Sequence, residues 1–188
     1  QNLIFILGNH DLWCREWMRS GVKENIWVSQ GGKKTIQSYA QDWIGPQIKP
    51  SIPEAHYTFF ESGRNYFLTE DQKLFVHGGF DTEIPIKDQS LEGLTWDGSL
   101  FEKAQETQKF SKSKTPRLTT YSEIYIGHTT TERFSLIPVQ FCEVWNVDQG
   151  AGWGGKLTLM DVDSKEFWSS DLVKDLYQDG MLNRVLNE

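Results

Sequence analysis

Three times in this chain a short apolar run ends at a glycine with a histidine beside it or one residue away. These are Leu3-Ile4-Phe5-Ile6-Leu7-Gly8-Asn9-His10, Leu74-Phe75-Val76-His77-Gly78 and Ile124-Tyr125-Ile126-Gly127-His128. Runs this apolar and this short, rich in β-branched and aromatic residues, predict strands buried on both faces, which belong to sheets covered by helices. In such sheets ligands bind just beyond the carboxyl ends of the strands. Three strand ends that each present an imidazole can therefore converge on one point, and the recurrence marks a candidate site there.

The remaining pattern predicts the elements around that sheet. Asn2 to Leu7 reads as a strand, followed by a turn at Gly8-Asn9-His10. A helix over Asp11 to Arg19 follows, with Leu12, Trp13, Glu16 and Trp17 at helical spacing and Gly21 as its stop. A second short helix is predicted over Ile36 to Ile44, then a turn-rich connector from Pro46 to Pro53. A third helix starts at Pro53-Glu54 and runs towards Gly63, with proline and an acid at its first turn. Tyr66 to Leu68 and Lys73 to Val76 read as strands about the polar turn Glu70-Asp71-Gln72, as do Ile124 to Ile126 and Lys156 to Val162. Residues 103 to 117, with Lys103, Lys109, Lys112, Lys114 and Arg117 among Ser, Thr and Pro, predict a mobile, basic surface segment. Leu172 to Leu186 predicts a closing amphipathic helix interrupted near Gly180.

Composition narrows the classes of function. Hydrophobic residues make up 38% of the 188, and with the 16 glycines the chain nears the roughly 45 to 50% of a globular domain. No run reaches the ~18 apolar residues of a membrane-spanning helix, and the start lacks a basic n-region and a cleavage site. Lys and Arg number 19 against 26 Asp and Glu, a net charge of -7, which repels the phosphate backbone that dominates nucleic-acid affinity. Cys14 and Cys142 have no CxxC spacing and give no disulfide framework or cysteine zinc site. A cytoplasmic protein, with no nucleic-acid or membrane partner, is the expectation. Eight tryptophans read as fillers of core and cleft walls.

Imidazole nitrogens with neighbouring carboxamide and carboxylate oxygens form a ligand set suited to zinc, iron or manganese rather than calcium. His56, inside a predicted helix beside Phe59 and Phe60 and without a glycine neighbour, reads as an ordinary packing residue. Gly150-Ala151-Gly152-Trp153-Gly154-Gly155 satisfies G-x-G-x-x-G, and Gly155-Lys156 approaches a P-loop. Both nucleotide motifs must open a helix, and the P-loop needs Ser or Thr where Leu157 stands, so the run predicts a turn.

The ordered set Gly8-Asn9-His10-Asp11, His77-Gly78-Gly79 and Gly127-His128-Thr129 resembles the later motifs of the calcineurin-like metallophosphoesterases, specifically their phosphoprotein phosphatase group. That group includes serine/threonine protein phosphatases and diadenosine tetraphosphate hydrolases. Asn146-Val147-Asp148-Gln149-Gly150-Ala151-Gly152 and the strand after it resemble its bacterial members, so the similarity spans most of the chain. The resemblance implies an α/β metallophosphoesterase-like α-β-β-α sandwich, with residues 1 to 188 as the C-terminal portion of a single domain. It implies that Asn9, His77 and His128 bind one ion of a pair of divalent transition metals (Mn, Fe or Zn), and that His10 is the catalytic acid with Asp11 in a supporting role. In that mechanism paired metals hold a hydroxide for in-line attack on phosphorus, while an imidazolium protonates the leaving oxygen.

Two departures accompany the match. The family's D-x-H and G-D-x-x-D-R-G motifs, which supply the first metal's ligands and the bridging aspartate, occur nowhere in the sequence, so this chain supports at most one metal site. With Gln1 in place of Met and an apolar run starting at once, the expectation is a segment carrying both motifs upstream. In Leu94-Thr95-Trp96-Asp97-Gly98-Ser99-Leu100, Gly98 stands where family members often carry an arginine; Arg117 and Arg133 are the candidates to replace it. The expected activity is phosphomonoester hydrolysis, with phosphoserine or phosphothreonine proteins as leading substrates and dinucleoside tetraphosphates or other small phosphate esters next. The non-catalytic alternative is an inactive remnant that binds metal or phosphate. A truncated sheet edge also predicts self-association.

Overall fold

The structure is a computed structural model that describes residues 3–39 and 51–176. Its first regular element, α1 (Asn9–Ser20), begins where Gly8 is extended (φ -96°, ψ 173°) and its N–H donates to Asp11 Oδ2 at 2.8 Å. A carboxylate in the first turn also opposes the positive end of the helix dipole. The helix stops at Gly21, whose φ of 77° is the left-handed conformation glycine adopts without penalty and whose N–H closes on the Trp17 carbonyl at 2.8 Å. A broken helical stretch follows: α2 (Asn25–Trp27), a π-type turn over Val28–Gly32, and α3 (Lys33–Tyr39). Cys14, Trp17 and Met18 of α1 pack with Trp27 and Ile36 into a small core, flanked by Tyr57 and Phe60 of α4 (Glu54–Glu61).

A larger core lies on one face of a five-stranded sheet. Its strands are β1 (Tyr66–Leu68), β2 (Lys73–Val76), β3 (Glu123–Ile126), β4 (Val139–Phe141) and β5 (Val144–Asn146), in the order β1-β2-β3-β5-β4. The central pairs β2–β3 and β3–β5 are parallel and the outer pairs antiparallel. Alternation places Leu74, Val76, Ile124, Ile126 and Val144 on one face, against Leu94 of α5 (Leu91–Trp96) and Leu100, Phe101 and Ala104 of α6 (Ser99–Phe110). On the other face Phe67, Phe75, Tyr125 and Trp145 are register partners and form a row of rings across the sheet. Phe75 and Tyr125 stack at 4.9 Å. The hairpin β6 (Thr158–Met160) and β7 (Phe167–Ser169) sends Lys165 over Tyr125 and Trp145, with Nζ 2.5 Å from Glu123 Oε1. The last described helix is α7 (Val173–Leu176).

Two expectations change. Of the strand predicted over Asn2 to Leu7, Asn2 lies outside the described residues and residues 3–7 form only an isolated bridge rather than a strand within a sheet, with Leu7 N–H donating to the Arg64 carbonyl and Arg64 N–H to that of Phe5. Leu7 is fully buried, but Leu3 is 76% exposed, because a hydrophobic run fixes a preference for burial and only a neighbouring strand satisfies it. The basic segment from 103 is helical as far as Phe110. Leu100, Phe101 and Ala104 bury one stripe of α6 while Lys103 and Lys109 stay outside, so the exposed charges masked the period. The predicted helix at 36 to 44 is α3, shifted earlier, and its end lies outside the described residues, as do most of the closing helix and part of the proline connector. Cys14 and Cys142 are both free thiols. Among the described residues no helix is long and apolar enough to cross a membrane.

Candidate active site

β2 and β3 run parallel and side by side, so their carboxyl ends open on the same edge and deliver His77 and His128 together. The two rings lie 5.2 Å apart, and the Gly127 N–H donates to the His77 carbonyl at 2.8 Å, tying one strand end to the other. His128 has a φ of 63°, and across it the Thr129 N–H reaches the Gly127 carbonyl at 2.7 Å. A tight turn centred on a non-glycine residue at positive φ costs on the order of 1–3 kcal/mol and recurs at functional sites. Neighbouring β5 braces this turn: Asn146 Nδ2 donates to the Thr129 carbonyl at 2.7 Å, and Asn146 Oδ1 accepts the Asp148 N–H at 2.9 Å.

The third histidine arrives from the other core. The turn into α1 brings Asn9 Oδ1 to 3.1 Å from His77 Nε2 and sets His10 in the same cleft. Close approach is possible because Gly8 has no side chain, since a Cβ there would lie 2.6 Å from the His77 ring. Asp11 does not line the cleft. Its carboxylate is spent on the Gly8 N–H, burial raises its pKa against the lowering effect of that bond, and its place is structural support for the Asn9-His10 turn. The cleft holds about 280 Å³ and is also lined by Gln30, Trp96, Thr130, Asp148, Gly152 and Trp153. Aromatic contacts run round it, from His10 to Trp13 at 5.1 Å, Trp13 to Trp96 at 5.1 Å and Trp96 to His128 at 5.6 Å.

Electrostatics suits the imidazoles to donate lone pairs. Burial, followed by the neighbouring His128 and His10, lowers the His77 pKa to about 4, so its ring is neutral at pH 7. Burial also lowers that of His128, partly opposed by Asp148, by a hydrogen bond to the Trp96 backbone and by Asp97. Two neutral imidazoles and a carboxamide oxygen fit one transition-metal ion. The set is sparse, with two imidazoles and one carboxamide: among the described residues, here or elsewhere, no group of three or more His, Cys, Asp or Glu could hold a metal.

Other candidates fall elsewhere. His56 sits exposed on α4, its Nδ1 2.7 Å from the Tyr39 hydroxyl. Arg117 donates to the carbonyls of Thr119, Tyr121 and Ser122 and lines a separate cavity of about 680 Å³ with Phe80 and Tyr121. Arg133 is exposed, and among the described residues no arginine lines the cleft. The Gly150–Gly155 run is a turn, as its context predicts, but it also carries Trp153 into the cleft. Trp153, Gln30, Trp96 and Asp148 are cleft residues that sequence reasoning did not single out as such. The signals on offer were the reading of the tryptophans as fillers of core and cleft walls and, for Asp148, its place in the run Asn146 to Gly152.

A crystal structure provisionally assigned as a diadenosine tetraphosphatase is similar to this chain, with a TM-score of 0.52 and 16% identity. The alignment covers 89% of this chain and 67% of that one. At that identity the likeness concerns the fold alone, a mixed α/β arrangement around a five-stranded sheet. No family model matches the chain, and no curated protein matches it.

Proposed function

We propose that this chain carries part of the active site of a metal-dependent phosphoester hydrolase. The observation that carries the reading is the convergence of Asn9, His10, His77 and His128 on one cleft, with Asn9 Oδ1 at 3.1 Å from His77 Nε2. In it Asn9, His77 and His128 hold a divalent ion, which when bound supplies charge to offset the phosphoryl oxygens and lowers the pKa of water. His10 delivers a proton to the leaving oxygen, a role worth roughly 10²- to 10⁴-fold in rate. Asp11 fixes the turn that aims both Asn9 and His10, and Asp148 and Asn146 hold the His128 turn.

Two substrate readings follow from the resemblance. Phosphoserine or phosphothreonine proteins are one, and dinucleoside tetraphosphates are the other. The assignment of the structurally similar protein and the tryptophans lining the cleft favour the second. Hydrolysis of p-nitrophenyl phosphate with added Mn²⁺ tests the activity. The His10→Ala variant is expected to lose at least a hundred-fold in kcat, and an unchanged kcat removes His10 as the acid. A preference screen of diadenosine tetraphosphate against phosphopeptides then separates the substrates.

A further inference from the structure

Gln30 and Trp153 line the cleft beside the four residues above, yet metal binding and proton transfer require neither. Each is presented by backbone that departs from regular geometry. Gln30 (φ -91°, ψ 26°) and Gly31 (φ 107°) break the helical stretch between α2 and α3. Just after the break, Gly32 packs directly against the ring of Trp27, itself buried in the helical core, and a Cβ there would lie 2.4 Å from that ring. Trp153 ends the 3₁₀ turn Ala151–Trp153, between Gly150 at φ 75° and Gly154 at φ 91°. A Cβ on Gly155 would sit 2.0 Å from the Gln149 carbonyl oxygen. The turn leaves Trp153 43% exposed at the edge of the cleft. Irregular backbone costs conformational energy, and two such segments meet at one cleft.

The chemistry of the pair is specific. An indole offers a broad face for stacking a flat ring, and a primary amide offers two donors and an acceptor to a heteroatom edge. An aliphatic seryl or threonyl leaving group has neither feature to match. We propose that Gln30 and Trp153 form a leaving-group subsite that selects phosphate esters bearing a planar aromatic ring. The inference rests on the phosphoester reading above and assigns the ring-recognition role to these two residues.

The test compares wild type, Trp153→Ala, Trp153→Phe and Gln30→Ala of the full chain on phenyl phosphate, AMP and glycerol 2-phosphate. Trp153→Ala is expected to lower kcat/KM for phenyl phosphate and AMP about ten-fold, mainly through KM. Glycerol 2-phosphate should be unaffected, and Trp153→Phe should recover most of the loss. Gln30→Ala should weaken AMP but not phenyl phosphate, whose ring has no heteroatom edge, and an equal effect on both would remove Gln30 from the subsite. Equal losses on all three substrates, or none, overturn the subsite. If wild type hydrolyses none of them and binds none of them in calorimetric titration, the phosphoester reading fails on its own. Calorimetric titration of AMP and glycerol 2-phosphate then decides the subsite, which is overturned if Trp153→Ala leaves AMP binding unchanged.

Discussion

The cleft is the seam between two cores built by different rules. On one side, β2, β3 and β5 bury Leu74, Val76, Ile124, Ile126 and Val144 through strand alternation and pairing between residues far apart in sequence. On the other, α1 to α3 bury Cys14, Trp17, Met18, Trp27 and Ile36 through local helical spacing of large side chains. The sheet core supplies His77 and His128, and the helical core supplies Asn9, His10 and Gln30. No single element holds the candidate metal donors. Their 3.1 Å approach depends on how the two cores dock, through the Trp13–Trp96 contact and the hydrogen bonds between Leu7, Arg64 and Phe5. A site at such a seam can be disabled from either side without touching a donor.

The comparison breaks or holds first at the level of stability. Trp17→Ala in the helical core should cost about 3–5 kcal/mol, and Ile124→Ala in the sheet core about 2–5 kcal/mol. Because contacts cross the seam, both variants should shift one common urea transition, with fluorescence and far-ultraviolet circular dichroism coinciding. Two separated transitions would mean that the cores fold independently and the cleft is a loose joint.

A smaller effect sharpens the seam itself. Gly8→Ala places a Cβ against the His77 ring and forces the two donors apart, so hydrolysis should fall roughly 10- to 100-fold, the usual cost of disturbing what orients a metal ligand. Unchanged Mn²⁺ affinity in a calorimetric titration, with an unchanged rate, would show that the approach of Asn9 to His77 is not needed.

The mildest test uses pH. Burial, and then Asp11, raises the Cys14 thiol from 9.0 to about 12. Between those values the unfolded chain releases a proton that the folded chain keeps, so folding weakens as pH rises above 9 and nothing is lost below it. The limiting slope is ~1.4 kcal/mol per pH unit. Cys14→Ala should flatten this alkaline limb of urea stability measured from pH 7 to 11; an identical limb would show that the helical core opens before the thiol titrates.

Much of the sheet core was legible because its signals are local. The runs at Leu74 and Ile124 and the glycines beside His77 and His128 mark strands and their ends without reference to any neighbour. The three-residue strands β4 and β5 carry too few alternations to be read, and exist because β3 and the hairpin geometry pair them. The run at Leu3 failed in the opposite sense, with a clear pattern but no sheet around it among the described residues. Of the site, the three histidines were legible from recurrence, whereas Trp153 looked like part of a turn and Gln30 lay between predicted helices with no pattern to mark it.

The sequence by itself determined which side chains stand at the ends of strands and turns, because local periodicity and glycine placement set backbone direction and side-chain facing over a few residues. Only the tertiary structure decided that Asn9 meets His77, that Asp148 and Trp153 enter the same cleft and that Arg117 does not. Those adjacencies arise from closing long loops over buried surface, a balance of chain entropy against packing that no short stretch of sequence records.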